Sequence, residues 1–62
     1  MSVAEIVKNK RKEAGLSQFQ LAVKIGISPQ SISKIENGHT KAPAHDTLKK
    51  LAAALNCDIR EF

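Results

Sequence analysis

Aromatic side chains are almost absent from this sequence. The 62 residues include two Phe and neither Trp nor Tyr, yet hydrophobic residues make up 42% of the chain. The core therefore has to be built from Ile, Leu, Val and Ala, and the composition is not that of a disordered chain. A chain of this length is expected to form a single domain, residues 1–62.

Cysteine is nearly absent as well. Cys57 is the one cysteine, so it has no partner for a disulfide within the chain, and His39 and His45 have no thiols at the spacing of a zinc site. These features predict no metal, no cofactor and a reducing, cytoplasmic setting. No Ser/His/Asp or Cys/His arrangement has a pocket to work in, so we expect no enzymatic activity.

Long apolar runs are also missing. No stretch approaches the roughly 18 apolar residues of a membrane span, and the N-terminus lacks the apolar run of a signal peptide. We therefore expect no membrane partner, and no small-molecule ligand is evident. Positive charge is in excess: the net charge is +4, which favours polyanions and anionic surfaces but leaves the fold undecided.

Capping patterns predict an all-α chain of five short helices. Ser-x-x-Glu at Ser2, Ser-x-x-Gln at Ser17 and Asp-x-x-Glu at Asp58 are typical of helix starts, and Ser28 followed by Pro29 marks another. The predicted helices are residues 3–14, Gln18–Ile25, Pro29–Glu36 and 45–55, with Asn56 as a left-handed cap, and a short fifth helix that carries Ile59 and Phe62 inward.

The second and third of these helices meet the requirements of a tight helix pair. Two short helices that cross steeply over a brief turn need a small residue at the contact and a glycine in the turn. Ala22 and Gly26 supply these, and Ile32 and Ile35 supply the apolar face of the second helix. Residues 18–37 therefore indicate a helix-turn-helix.

Three stretches of the chain carry a family resemblance: GLSQFQLAVKIGIS, SISKIENG and LAAALNCDIREF. They resemble the Cro/CI (Xre-like) helix-turn-helix family, and especially the DNA-binding domains of lambdoid phage repressors. The resemblance covers about residues 6–62. It implies five packed helices whose third enters the major groove of double-stranded DNA, and a transcriptional regulator, of repressor type, that binds a palindromic operator as a homodimer.

The outward residues of the third helix suit the reading of bases. Gln30 has the groups for a bidentate pair with adenine, and Lys34 can donate to guanine. Pro29 offers an apolar edge to a thymine methyl, and the resemblance points to the same early positions of this helix. The predicted base contacts are Ser28, Pro29, Gln30, Ser33 and Lys34.

Phosphate contacts are expected from other elements. Gln18 begins the second helix, whose N-terminus offers free N–H groups and the positive end of a dipole. The resemblance adds Asn37 and Lys41, and Lys10 and Arg11 supply charge nearby. In the positions around Pro43, where the phage repressors carry Arg, this sequence has Ala42 and Ala44.

Arg11 has a second interpretation. In the phage repressors an Arg at this position pairs with a Glu near the end of the third helix, which here is Glu36. The resemblance therefore implies an ion pair that fixes the first helix to the third.

The last seven residues are predicted to form the dimer contact. The resemblance places that contact near the fifth helix, so we expect Cys57 and Arg60 close to the two-fold axis of a dimer that assembles on DNA. The alternative is that Cys57 packs in the corner between the fourth and fifth helices.

Phe19 leaves a choice open. It lies opposite the apolar face of the second helix. There it is either partially shielded by neighbours on the first or third helix, which we prefer, or it is a contact surface for a partner protein. The rival function for the whole chain is a protein-interaction module, antitoxin-like or adaptor, on the same fold. Such a module should have an apolar face on the third helix, and only Phe19 and Pro29 hint at one.

Overall fold

The computed structural model describes residues 2–40 and 43–62, and these ranges contain four α-helices, one 3₁₀ turn and no strand. The bounds predicted for the second and third helices are confirmed, and the first and fourth each end one residue earlier than predicted. None of the described helices is long and apolar enough to cross a membrane. The elements are α1 (Val3–Glu13), α2 (Gln18–Ile25), α3 (Pro29–Glu36), α4 (His45–Ala54) and the 3₁₀ turn Ile59–Glu61.

Side-chain caps set the starts of α2 and α3. Ser17 Oγ accepts from the Gln20 amide at 3.0 Å, and the Gln20 side chain accepts from the Ser17 amide at 2.8 Å. This reciprocal pair is the predicted capping box. At α3, Ser28 Oγ accepts from the Ser31 amide at 3.2 Å, and Pro29 occupies the first turn, where its missing N–H costs nothing.

At α1 the capping box is only half formed. Ser2 Oγ accepts from the Glu5 amide at 3.3 Å, as the pattern predicts. The Glu5 carboxylate, however, accepts from the Ser2 hydroxyl at 3.4 Å, and the reciprocal bond to the Ser2 amide is not part of this cap.

The predicted fifth α-helix is instead a single 3₁₀ turn. Its capping box is present, because Asp58 accepts from the Arg60 amide at 2.9 Å and Glu61 accepts from the Asp58 amide at 3.0 Å. The backbone bonds run from Glu61 to Asp58 and from Phe62 to Ile59, a spacing of three residues that suits one tight turn. Phe62 packs against the core as predicted, whereas Ile59 is half-buried outside it.

Each α-helix ends in the same pair of backbone bonds. After α2, Ile27 donates to Ala22 at 3.0 Å and Gly26 donates to Val23 at 3.3 Å, the pattern of a Schellman motif. Gly26 has φ 77°, a conformation that costs an L side chain about 1–2 kcal/mol, so this glycine makes the turn into α3. The equivalent left-handed residues after the other helices are Gly15, Gly38 and Asn56.

The core lies where the four helices meet. Val7, Leu21, Ile32 and Leu51, one from each helix, are completely buried. α2 packs against α3 and α4, and α1 packs against α3. Because this aliphatic cluster anchors one side of α3, the other side faces outward. The remaining buried members of the cluster are Ala22, Ile25, Ile35 and Leu55.

Candidate nucleic-acid interface

α3 presents a polar face opposite its buried isoleucines. At 100° per residue, Gln30, Ser33, Lys34 and Asn37 fall on the side away from the core. Gln30, Lys34 and Asn37 are exposed and Ser33 is half-buried. The face therefore combines amide, hydroxyl and ammonium groups, which are the donors and acceptors that pair with base edges in a DNA groove.

Two serines of this region are held by bonds within the domain. Ser28 caps α3 and its hydroxyl also lies 2.9 Å from the hydroxyl of Ser31. Ser33 Oγ accepts from Asn37 Nδ2 at 3.3 Å, one turn along the helix. Pro29 is half-buried at the helix start. Of the residues predicted to contact bases, Gln30 and Lys34 thus present the longest exposed polar side chains.

Gln18 lies at the first position of α2, next to the end of α3. Its side-chain Nε2 donates to Glu36 Oε1 at 3.1 Å. The backbone N–H groups of residues 18 and 19 stand at the start of the helix, where no preceding turn supplies carbonyl partners. With the positive end of the helix dipole, this corner has the properties of an anion site.

The structure brings Arg11 and Glu36 together in a buried ion pair. Arg11 Nε lies 2.7 Å from Glu36 Oε2, and Nη2 donates to Oε1 at 3.0 Å. The two side chains are 10% and 2% exposed. Arg11 Nη1 also donates to the carbonyl of Leu16 at 2.7 Å. The guanidinium of Arg11 thus faces inward and joins α1 to α3, as the predicted ion pair requires, and the phosphate contact predicted for Arg11 stays a prediction.

The pKa values of this pair move so that both charges persist at neutral pH. Burial acts to raise the pKa of Glu36, but the hydrogen bonds from Arg11 and Gln18 outweigh it and hold the pKa below its ordinary value of 4.5. The bond to Glu36 raises the pKa of Arg11, against the opposing effect of burial.

Of the two lysines predicted to contact phosphate, the structure describes Lys10, which is paired with an acidic residue. Lys10 Nζ lies 2.9 Å from the Glu61 carboxylate, and the hydrogen bond between them raises the pKa of Lys10. This pair draws the ammonium group toward the 3₁₀ turn instead of toward α3. Lys41 lies outside the described residues.

The residues predicted for the dimer contact lie around the 3₁₀ turn. Cys57 is partly buried and packs against the core, and burial raises the pKa of its thiol. Arg60 is 87% exposed and binds Asp58 at 2.8 Å. In residues 2–40 and 43–62, no three His, Cys, Asp or Glu side chains form a group fit for a metal.

Most of the surface of Phe19 is exposed. Its side chain is 64% exposed, and Val23, one turn along α2, is 65% exposed. Both lie on the side of α2 opposite its buried residues, so any shielding of Phe19 by α1 or α3 leaves most of the residue exposed. They form an apolar strip on the surface.

Two hydrogen bonds of the site were not found from the sequence. The bond from Asn37 to Ser33 joins residues four apart on a helix, and that spacing is a usable signal. The bond from Gln18 to Glu36 joins residues 18 apart, and only the packing of α2 against α3 brings them together. No local pattern in the sequence indicates it.

Comparison with known proteins identifies the family. The helix-turn-helix family matches residues 7–62 of the chain. The chain therefore belongs to the helix-turn-helix family of Cro/C1 type.

Three relatives illustrate this similarity. The chain is 39% identical over 60 residues to the HTH-type transcriptional regulator SlrR of Bacillus subtilis (strain 168), a match of 97% of the chain to 40% of that protein. It is 39% identical over 54 residues to the ImmF control region 10 kDa protein of Bacillus phage phi105, covering 87% of the chain and 59% of that protein. It is 39% identical over 62 residues to the cryptic phage CTXphi transcriptional repressor RstR of Vibrio cholerae, covering 100% of the chain and 54% of that protein. The chain thus spans between 40% and 59% of the length of these three relatives.

Proposed function

We propose that this chain binds double-stranded DNA sequence-specifically in the cytoplasm and regulates transcription as a repressor. The polar face of α3 carries the proposal: Gln30 and Lys34 project from a helix whose opposite side is locked in the core. Family membership supports it, as do relatives named as transcriptional regulators and repressors. The net charge of +4 adds attraction to a polyanion.

In this proposal α3 lies in the major groove, which is about 12 Å wide and admits a helix. Gln30 pairs with adenine and Lys34 donates to guanine, while Ser28, Pro29 and Ser33 line the groove close to them. Gln18 at the start of α2 and Asn37 at the end of α3 contact phosphates on either side and fix the register of the helix.

Two copies of the chain bind one palindromic operator in this proposal. A single α3 covers about half a turn of DNA, and two-fold pairing places two recognition helices about 34 Å apart on one face of the duplex. The exposed Arg60, in the middle of the 3₁₀ turn, is proposed to lie near the two-fold axis. Cys57 contributes by holding that turn against α4.

A salt series tests the proposed function. Fluorescence anisotropy of a labelled duplex, titrated with the purified chain at several salt concentrations, measures affinity directly. Log affinity is expected to fall linearly with log salt, with a slope of about −0.9 per neutralised phosphate. Absence of binding, or a flat line, contradicts DNA binding.

One observation favours a second candidate, a protein-interaction module. The strip formed by Phe19 and Val23 is apolar and exposed, as a contact for a partner protein would be. The two candidates differ in what α3 does: an interaction module does not need the polar face of α3 and is not expected to bind duplex DNA. A Phe19→Ser/Val23→Thr variant that binds duplex DNA like the parent supports the first candidate.

A further inference from the structure

One buried carboxylate connects the two ends of the proposed interface. Glu36 Oε1 accepts from Arg11 Nη2 at 3.0 Å and from Gln18 Nε2 at 3.1 Å, while Oε2 accepts from Arg11 Nε at 2.7 Å. The Glu36 side chain is only 2% exposed. Water therefore competes little for these bonds, and the carboxylate is a fixed acceptor on the side chain of Gln18.

This contact orients the carboxamide of Gln18. A primary amide carries two N–H donors and one oxygen acceptor. Because the carboxylate accepts one N–H, the amide oxygen is kept away from it, and the second N–H points away from Glu36. That second donor lies at the start of α2, where the backbone N–H groups of residues 18 and 19 also lack carbonyl partners.

We infer that Glu36, held by Arg11, is a positioning residue that presets Gln18 to donate its second N–H to a DNA phosphate. The inference rests on the proposed function and adds a role for a residue that does not itself face the DNA. A bare carboxylate at this corner would repel a phosphate, but the guanidinium of Arg11 balances its charge. The same contact sets the distance between Gln18 and the proposed phosphate contact at Asn37, which follows Glu36 in the chain.

Fixing the Gln18 side chain before DNA binds lowers the conformational entropy that is lost on binding. A free glutamine on the surface loses rotamer freedom when it binds, which weakens binding by about two- to tenfold. Gln18 has already lost that freedom in the folded domain, so its bond to phosphate brings nearly its full benefit. Removing the Gln18 side chain should therefore lower the affinity for DNA more when Glu36 is present than when Glu36 is absent.

The test compares Gln18→Ala in two backgrounds by anisotropy on the same duplex. One background is the parent, and the other is Arg11→Met/Glu36→Leu, in which apolar side chains of similar volume replace the ion pair without leaving an unpaired charge. We expect Gln18→Ala to lower the affinity for DNA by at least about tenfold in the parent, as is typical of one hydrogen bond to a charged group, and by less than about threefold in the second background. Gln30→Ala is the matched control. Because Gln30 does not contact Glu36, this substitution should lower the affinity for DNA equally in the two backgrounds.

The outcomes separate this inference from the proposed function. Equal losses for Gln18→Ala in the two backgrounds, or no loss in the parent, overturn the positioning role while DNA binding by the parent still stands. Failure of the parent to bind any duplex overturns both.

A measurement on the unmodified chain does not depend on the folding of the variants. In nuclear magnetic resonance spectra of the free chain, the side-chain amide protons of Gln18 should exchange with water more slowly than those of Gln30. Addition of duplex DNA should then shift one of the two Gln18 protons. Exchange as fast as that of Gln30, or no change on adding duplex, contradicts the inference.

Discussion

Arg11 and Glu36, which are 25 residues apart in the chain, are joined by two hydrogen bonds of 2.7 and 3.0 Å. Together they fasten α1 to the end of α3. A buried pair of this kind is weak evidence for net stability, because desolvation offsets the attraction. Its clear effect is geometric: it ties α1 to the end of α3, next to Gln18, while the aliphatic core on the other side of α3 keeps the polar face outward.

The ion pair predicts a loss of stability in acid. Because the folded pKa of Glu36 lies below its ordinary value of 4.5, its contribution is present above that pH. The contribution is lost as pH falls through the folded pKa, since the unfolded chain binds the proton more tightly. Urea unfolding from pH 7 downward should show the midpoint decreasing below about pH 4.5.

Arg11→Met/Glu36→Leu is the control for this measurement. The variant keeps Asp58 and Glu61, whose pKa values are also lowered by hydrogen bonds, so their contribution is common to both proteins. The midpoint of the variant should fall less steeply in acid. Identical pH profiles for the two proteins would show that Glu36 does not contribute.

The surface strip on α2 predicts unequal effects of two truncations on one helix. Phe19 is 64% exposed and Leu21 is completely buried. Phe19→Ala should change the free energy of unfolding by less than about 0.5 kcal/mol, and Leu21→Ala should reduce it by about 2–5 kcal/mol. Denaturant unfolding measures both. A large loss for Phe19→Ala would mean that Phe19 packs against the domain after all.

Helix starts could be predicted from the sequence because their causes are local. Ser17 accepts from the amide of Gln20, and Ser28, followed by Pro29, accepts from the amide of Ser31. Each pattern lies within four residues of chain, and both helices begin where these patterns indicate. A capping box marks a start but carries no information on length. This is why Asp58 with Glu61 predicted a fifth helix where the chain makes one 3₁₀ turn.

The candidate site likewise has one part that could be predicted from the sequence and one part that could not. The exposure of Gln30 and Lys34 follows from their spacing relative to Ile32 and Ile35, so the sequence was sufficient to predict it. The contact of Gln18 with Glu36 depends on how α2 crosses α3, and helical periodicity does not describe that crossing. The environment of Phe19 depended likewise on neighbours that only the packing of the helices defines.

The dimer proposal predicts a change of assembly on DNA. The turn region offers little apolar surface, since Cys57 and Phe62 pack against the core, and stable dimers bury about 800 Å² per partner. Sedimentation of the free chain at micromolar concentration should therefore show mainly monomer, and titration of a palindromic site should end at two chains per duplex. A one-to-one complex on a single half-site, at full affinity and specificity, would contradict the dimer.

Selection of bound duplexes from a random DNA pool tests the central claim, that α3 reads sequence, most directly. The purified chain should enrich a short sequence repeated with two-fold symmetry. Gln30→Ala and Lys34→Ala should each relax the preference at their own base pair, by about 1–3 kcal/mol of discrimination. Lys49→Ala removes the same charge as Lys34→Ala, but from an exposed position on α4. It should leave the base preference unchanged. A pool that shows no enrichment, or a preference that survives both α3 variants intact, would contradict the account.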